Sequence, residues 1–99
     1  MIKVEVTKKD ISVIGHAMYD DYGKDIVCAA VSSIVMTSVE GIASINKEAI
    51  DIKQSDNILD IIINSDDEIT NKLINNMLNL LNELAKKYPK NIKITNKEE

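Results

Sequence analysis

The only histidine and the only cysteine of this chain stand twelve residues apart, at His16 and Cys28. An imidazole can take the proton from a thiol, and the resulting thiolate attacks electrophilic carbon atoms. His16 follows an apolar run with strand-like character, whereas Cys28 begins an apolar run with helical spacing. The polar segment between them is bracketed by Gly15 and Gly23. This arrangement predicts a thiol enzyme with Cys28 as the nucleophile and His16 as the base.

Cys28 is expected in the first turn of a helix that begins near Asp25. The unpaired backbone N–H groups there favour a thiolate and can stabilise the oxyanion of an acyl-transfer intermediate. Asp25, Cys28 and Ser32 share one face of the helix because of their spacing. Asp25 either orients His16, as the third member of a triad does, or caps the helix. Ser32 is a weaker candidate, because a helical serine commonly bonds back to a carbonyl one turn earlier.

The segment from Ala17 to Lys24 contains Tyr19 and Tyr22 and is flanked by glycines. Glycines at both ends allow such a segment to swing, and the two rings offer apolar area for covering a bound chain. This pattern predicts a lid that becomes ordered when substrate binds. The alternative is a pair of turn glycines with two half-buried tyrosines.

Apolar patterns predict the elements that must position these residues. Strands are expected near 2–6, 11–14, 49–53, 58–63 and 91–95, with a turn at 54–57. One helix is expected from 25 to about 44, and a second between a capping box of Ser65 and Glu68 and the stop at Pro89. The order ββαββαβ predicts a single α/β (α+β) two-layer domain over residues 1–99, with a five-stranded sheet and two helices.

The first predicted helix is apolar over most of its surface. One stripe is formed by Val27, Val31, Ile34, Ser38 and Ile42. A helix that is apolar on most sides is buried on more than one side. It is therefore either the central helix of the domain or a helix with one face against a second subunit.

Composition excludes several classes of protein. A chain of 99 residues makes one domain, and its formal net charge of −4 argues against a nucleic-acid surface and favours a basic partner. A single cysteine closes no intramolecular disulfide, no signal-peptide pattern follows Met1, and the longest apolar runs are expected to be far too short to span a bilayer. A soluble cytoplasmic protein is expected. One cysteine and one histidine are too few for the usual tetrahedral metal site, so no metal or other cofactor is expected.

From residue 15 to residue 32 the sequence resembles the bacterial ribosomal-processing cysteine proteases. The pattern of that family is Gly-His-Ala, a short loop, then Gly, any residue, and Asp-Ile-Val-Cys-Ala. It stands here as Gly15-His16-Ala17 and, after the loop, Gly23-Lys24-Asp25-Ile26-Val27-Cys28-Ala29. The spacing from histidine to cysteine also agrees, and the order of elements matches over almost the whole chain.

The resemblance implies a cytoplasmic, homodimeric endopeptidase that removes an N-terminal extension from large-subunit ribosomal protein number twenty-seven. His16 would be its base and Cys28 its nucleophile. Substrates of the family are cut after a pair of phenylalanines and before a small residue. Tyr22 is a candidate contact for those rings.

Gly15, Gly23 and Ser32 are further candidate substrate-binding residues beside Tyr22. One departure from the family lies in the loop, where relatives usually carry a small residue at the position of Asp20. With Asp21 beside it, Asp20 makes the loop bulkier and more acidic. This difference bears on the substrate sequence and on loop motion, and it leaves the chemistry unchanged.

The competing interpretation is a non-catalytic homodimeric module that helps ribosome assembly by binding. A lone cysteine in an apolar helix is more often a small core residue than a nucleophile. In that case Cys28 is packed in the core and His16 has a structural role.

Overall fold

Five strands and two helices follow one another in the predicted order ββαββαβ. The structure is a computed structural model and describes residues 1–15 and 26–97. Its elements are β1 (Ile2–Val6), β2 (Asp10–Ile14), α1 (Ile26–Ile45), β3 (Ile50–Ser55), β4 (Ile58–Ile63), α2 (Glu68–Lys87) and β5 (Ile92–Asn96). The fold class predicted from the sequence is confirmed.

The strands form one sheet in the order β3-β4-β2-β1-β5. All neighbours are antiparallel except β1 and β5, which are parallel because α2 carries the chain back along the sheet before β5 begins. The register places Val4 of β1 opposite Val13 on one side and Ile94 on the other. The central strand is β2, which ends at Ile14, immediately before the predicted site.

The helices cover one face of this sheet, so the domain has two layers. Fully buried side chains on that face include Val4, Ile11, Val13 and Ile61. α1 packs against α2 and over β3, whereas α2 packs over β5. A polar row crosses the other face through Lys53, Asp60, Ser12, Glu5 and Thr95. Such a row is typical of a sheet face that meets water.

The apolar run of β4 was expected for a strand covered on both faces or placed centrally. β4 is hydrogen-bonded on both sides, by β3 and by β2. Ile62 is only half-buried and lies on the polar face, in register with Asp10 and Asp51. The idea of a strand covered on both faces is therefore wrong, and the interior position of β4 accounts for its apolar character.

The buried side of α1 differs from the predicted stripe. Its buried residues are Val27, Cys28, Val31, Val35, Val39 and Ile42. Ile34 and Ser38 are only half-buried and face a groove beside α2. The predicted stripe combined residues from two surfaces of the helix. Val27, Val31 and Ile42 lie on the buried surface, whereas Ile34 and Ser38 lie on the surface beside α2.

α1 also corrects the prediction that no apolar run is long enough to cross a bilayer. The helix has 20 residues and reaches a mean hydropathy of 1.8, so by length and composition alone it qualifies as a membrane span. The core helix of a soluble domain qualifies equally, and one side of α1 is buried against the rest of this domain. The helix is weak evidence for a membrane segment.

The predicted capping box at the start of α2 is wrong. The N-cap is Asp67, whose Oδ1 accepts a hydrogen bond from the backbone N–H of Thr70 at 2.7 Å. Ser65 instead donates its hydroxyl to Oδ2 of Asp67 at 2.8 Å, and Glu68 is the first helical residue. Aspartate and serine are comparable N-caps, so the sequence pattern alone does not decide between the two positions.

Candidate functional site

Three of the predicted site residues lie in the part of the chain that the structure describes, namely Gly15, Cys28 and Ser32. The others lie outside the described residues: His16, Tyr22, Gly23, Asp25 and the predicted lid at 17–24 with Asp20. The roles assigned to this second group stay predictions.

Gly15 follows β2 in a conformation that suits only glycine. Its φ is +79°, in the region that L side chains rarely occupy. A Cβ at this position would stand 2.7 Å from the carbonyl oxygen of Met1. The N–H of Gly15 donates to the carbonyl oxygen of Asn57 at 2.8 Å. The chain therefore leaves β2 in a direction fixed by the start of β1 and by the turn between β3 and β4.

Sequence alone does not reveal the contributions of Asn57 and Met1. The predicted turn covered 54–57, but β3 is longer than expected and leaves only 56–57 between the strands. Both residues approach Gly15 through backbone atoms, so no side-chain type marks them. The signal that could have found them is the strand register, which brings this turn beside the end of β2.

Cys28 is the third residue of α1 and therefore stands in its first turn, as predicted. That turn contains no acidic residue. Cys28 is 5% exposed and belongs to the apolar core cluster, together with Val27 and Val31. The backbone at a helix start favours a negative charge, whereas apolar surroundings disfavour one. Both influences act on the same sulfur atom.

The first turn of α1 and the end of β2 lie at the same end of the sheet. β2 ends with Ile14 opposite Ile58, the first residue of β4. β3 begins at the other end, where Ile50 lies opposite Ile63. α1 leads into β3 and has 20 residues, which correspond to a length of about 30 Å. Because α1 spans the sheet, Cys28 lies at the end that carries Gly15.

The two flanks of α1 differ beyond its first turn. Ser32 is half-buried and follows Cys28 by one helical turn on the same flank. On the other flank, a groove of about 350 Å³ separates α1 from α2. Its lining includes Ser33, Ile34 and Thr37 from α1 and Leu73, Asn76 and Leu80 from α2. The groove therefore lies on the opposite flank of α1 from Ser32.

Comparison with known proteins identifies relatives of the whole domain. A family sequence model described as cysteine protease Prp matches residues 1–93. The ribosomal processing cysteine protease Prp of Staphylococcus aureus is 32% identical over 108 residues, which cover 98% of this chain and 100% of the relative.

Two solved structures are similar to this chain in fold as well as in sequence. A crystal structure of an essential ribosomal processing protease Prp from S. aureus in complex with a substrate peptide matches with a TM-score of 0.86 at 28% identity. A second, in complex with a covalently linked product peptide, matches with a TM-score of 0.87 at 29% identity. Each covers 98% of this chain and 100% of the solved chain. On this evidence the chain belongs to the Prp family of cysteine proteases.

Proposed function

We propose that this protein is a cysteine endopeptidase that removes the N-terminal extension of large-subunit ribosomal protein number twenty-seven, a step in ribosome maturation. The observation that supports this most strongly is the family match over residues 1–93, which includes Gly15 and Cys28. The S. aureus relative is named a ribosomal processing protease, and one of its structures holds a substrate peptide.

Cys28 is the proposed nucleophile and His16 the proposed base. His16 accepts the thiol proton while Sγ of Cys28 attacks the carbonyl carbon of the scissile bond, which gives a tetrahedral oxyanion. Backbone N–H groups in the first turn of α1 are suited to stabilise that oxyanion. His16 then passes the proton to the leaving amine, and water hydrolyses the thioester to restore the thiol. Asp25 orients His16 or caps α1. If Asp25→Asn left both the turnover and the measured pKa of Cys28 unchanged, the orienting role would be contradicted.

Gly15, Tyr22, Gly23 and Ser32 are the proposed substrate-binding residues. The N–H of Gly15 already donates to Asn57, so Gly15 contributes through the direction that it gives to the chain. Tyr22 contacts apolar substrate side chains before the scissile bond, and Gly23 allows the 17–24 segment to close over them. If that segment were cleaved by a test protease equally fast with and without substrate, closure would be contradicted.

The proposed enzyme acts in the cytoplasm as a homodimer and needs no cofactor. Its formal net charge of −4 supports attraction to a basic ribosomal protein. Binding to nucleic acid or to a membrane is not part of the proposal. Light scattering measures the dimer, and measurable RNA affinity at physiological salt would contradict the expected absence of direct RNA binding.

The experiment that tests the proposal compares the wild type with Cys28→Ala on the extended ribosomal precursor, with products read by mass spectrometry. Cleavage of one peptide bond by the wild type alone is expected. Val31→Ala is the matched control, because it truncates a fully buried side chain of the same helix and removes no reacting group. Folded Val31→Ala should keep cleavage. Cleavage by Cys28→Ala would overturn the proposal.

The 5% exposure of Cys28 favours one alternative, a non-catalytic homodimeric ribosome-assembly module in which this thiol is packed. Iodoacetamide separates the two functions. A catalytic thiolate reacts well below the pH at which an ordinary thiol does, whereas a packed thiol is inert. An inert Cys28, together with precursor binding and no cleavage, would decide for the module.

A further inference from the structure

β3 is an edge strand with an open side. It stands first in the sheet order, and within residues 1–15 and 26–97 only β4 pairs with it. Five of its six residues are exposed, and only Ile50 is buried. The strand contains no proline that would interrupt an added ladder. An edge of this kind can accept a further strand from another chain.

The register identifies backbone groups that point away from β4. Ser55 and Ile58 flank the two-residue turn, and the carbonyl of Ala49 accepts from the N–H of Asn64. In an antiparallel ladder, hydrogen-bonded pairs alternate with pairs whose backbone groups point outward. Ile52 falls at an outward position by this count. Its N–H and C=O are therefore directed at the space beside the sheet.

The side chains beside this edge are apolar on the side of the helices. Ile52 lies in register with the buried Ile61 and is itself 40% exposed. Met36 of α1 is 43% exposed and continues the flank of Cys28 and Ser32 at successive helical turns. α1 packs over β3, and the groove toward α2 occupies its other flank. Two exposed apolar side chains, Ile52 and Met36, thus stand on the side of the domain where α1 packs over β3.

The end of β3 adjoins the site. The turn that follows β3 contains Asn57, whose carbonyl holds the N–H of Gly15 at 2.8 Å. Ile52 is three residues from the last residue of β3, which corresponds to about 10 Å along an extended strand. A chain lying beside Ile52 can therefore continue to the site within a few extended residues.

We propose that a segment of the protein substrate, outside the cleaved bond, binds to β3 as an added strand. Alternate side chains of this segment pack against Ile52 and Met36, so the segment is apolar at every second position. Its other side chains face the polar side of the sheet, beside Asp51 and Lys53. This inference rests on the proposed function, because the occupant is the chain that the enzyme cuts.

Amide hydrogen exchange in Cys28→Ala tests the inference with a peptide that spans the junction between the extension and the mature ribosomal protein. We expect exchange at Ile52 to slow at least tenfold on saturation, and exchange along β5, the other edge, to stay unchanged. Unchanged exchange at Ile52, or protection of β5 in its place, would overturn the inference. Ile52 protected before peptide is added would also overturn it, because a second copy would then cover the edge.

Cleavage by the wild type is scored separately, so the two ideas fail in different ways. Cleavage without protection of Ile52 would contradict the added strand and support the proposed protease. Protection of Ile52 without cleavage would contradict the proposed protease and support β3 as a binding edge. If neither cleavage nor protection were observed, both proposals would be contradicted.

A matched pair of variants gives a second measurement. Ile52→Pro removes the outward N–H but spares the ladder to β4, since proline is tolerated where an edge N–H faces solvent. Ile52→Ala keeps that N–H and removes most of the side chain. We expect a tenfold loss of kcat/KM for the precursor in Ile52→Pro and a smaller loss in Ile52→Ala. Equal kcat/KM in all three proteins would contradict the added strand.

Discussion

The first turns of the two helices of this domain differ. At the start of α2, Asp67 accepts a hydrogen bond from the N–H of Thr70, and Glu68 follows in the first turn. At the start of α1, the first turn holds no acidic residue and carries Cys28. Every helix start concentrates partial positive charge on unpaired N–H groups. In α2 a fixed carboxylate neutralises that charge, whereas the first turn of α1 offers a thiol.

The first turn of α2 thus serves to stabilise the helix, whereas the first turn of α1 is suited to assist a reaction. The cap of α2 stabilises the helix permanently and leaves little positive potential for a ligand. In α1 the same potential is available when a negative charge develops on sulfur or on a substrate oxygen. The buried side of α1, which includes Val31, Val35 and Ile42, stabilises this helix on the sheet.

The largest expected effect concerns Gly15, which fixes how the chain leaves β2 on its way to α1. Gly15→Ala should cost about 1–3 kcal/mol of stability, because its φ is positive and its Cβ would meet the backbone of Met1. A displaced His16 should also lower kcat/KM by about 100-fold. Denaturant unfolding and precursor cleavage measure the two effects.

Gly41→Ala is the matched control for that change. Gly41 lies inside α1, and a Cβ there would have nothing within 4 Å. The substitution should stabilise the helix by about 0.5–1 kcal/mol and leave cleavage unchanged. A Gly15→Ala protein as stable and as active as Gly41→Ala would show that the β2 exit has no special role.

The next effect comes from adding a carboxylate beside the first turn of α1, which contains no acidic residue. Ser32→Asp adds a negative charge one turn after Cys28 on the same flank, which disfavours a thiolate. Alkylation of Cys28 by iodoacetamide should slow by about tenfold at neutral pH, as a like charge about 6 Å away in a half-buried position predicts. Ser33→Asp adds the same charge on the other flank and should change the rate by less than about twofold. Equal rates in both variants would contradict a thiolate at Cys28.

Much of this fold is predictable because its signals are local. Alternating residues such as Ile2, Val4 and Val6 mark a strand, and Pro89 marks the end of α2 within one or two residues. The position of Cys28 in a first helical turn is equally local, since it depends on where one apolar run begins. These features need no knowledge of what packs against them.

The remaining features depend on contacts between distant parts of the chain. The strand order puts β3 at an edge, and the alternation of Ile50 and Ile52 with polar residues marks a strand without saying where in the sheet it lies. The contacts of Gly15 with Met1 and Asn57 are made by backbone atoms, which residue types do not encode. Which residues of α1 are buried likewise depends on the angle at which the helix lies on the sheet.

The smallest expected effect concerns the pH dependence of the α2 start. The hydrogen bond from the backbone of Thr70, followed by that from Ser65, holds the pKa of Asp67 below its ordinary value of 3.8. A lowered pKa in the folded state adds stability above the unfolded value, and this contribution is lost as the pH falls through the folded pKa. Asp67→Asn should therefore lower Tm at pH 7, and its Tm should differ less from that of the wild type near the acid end of the titration.

Asp66→Asn removes the same charge one residue earlier, outside the N-cap position, and should have a smaller effect on Tm. If both variants followed one pH profile, general charge near α2 would explain the effect, and the contrast between the two helix starts would lose its structural basis.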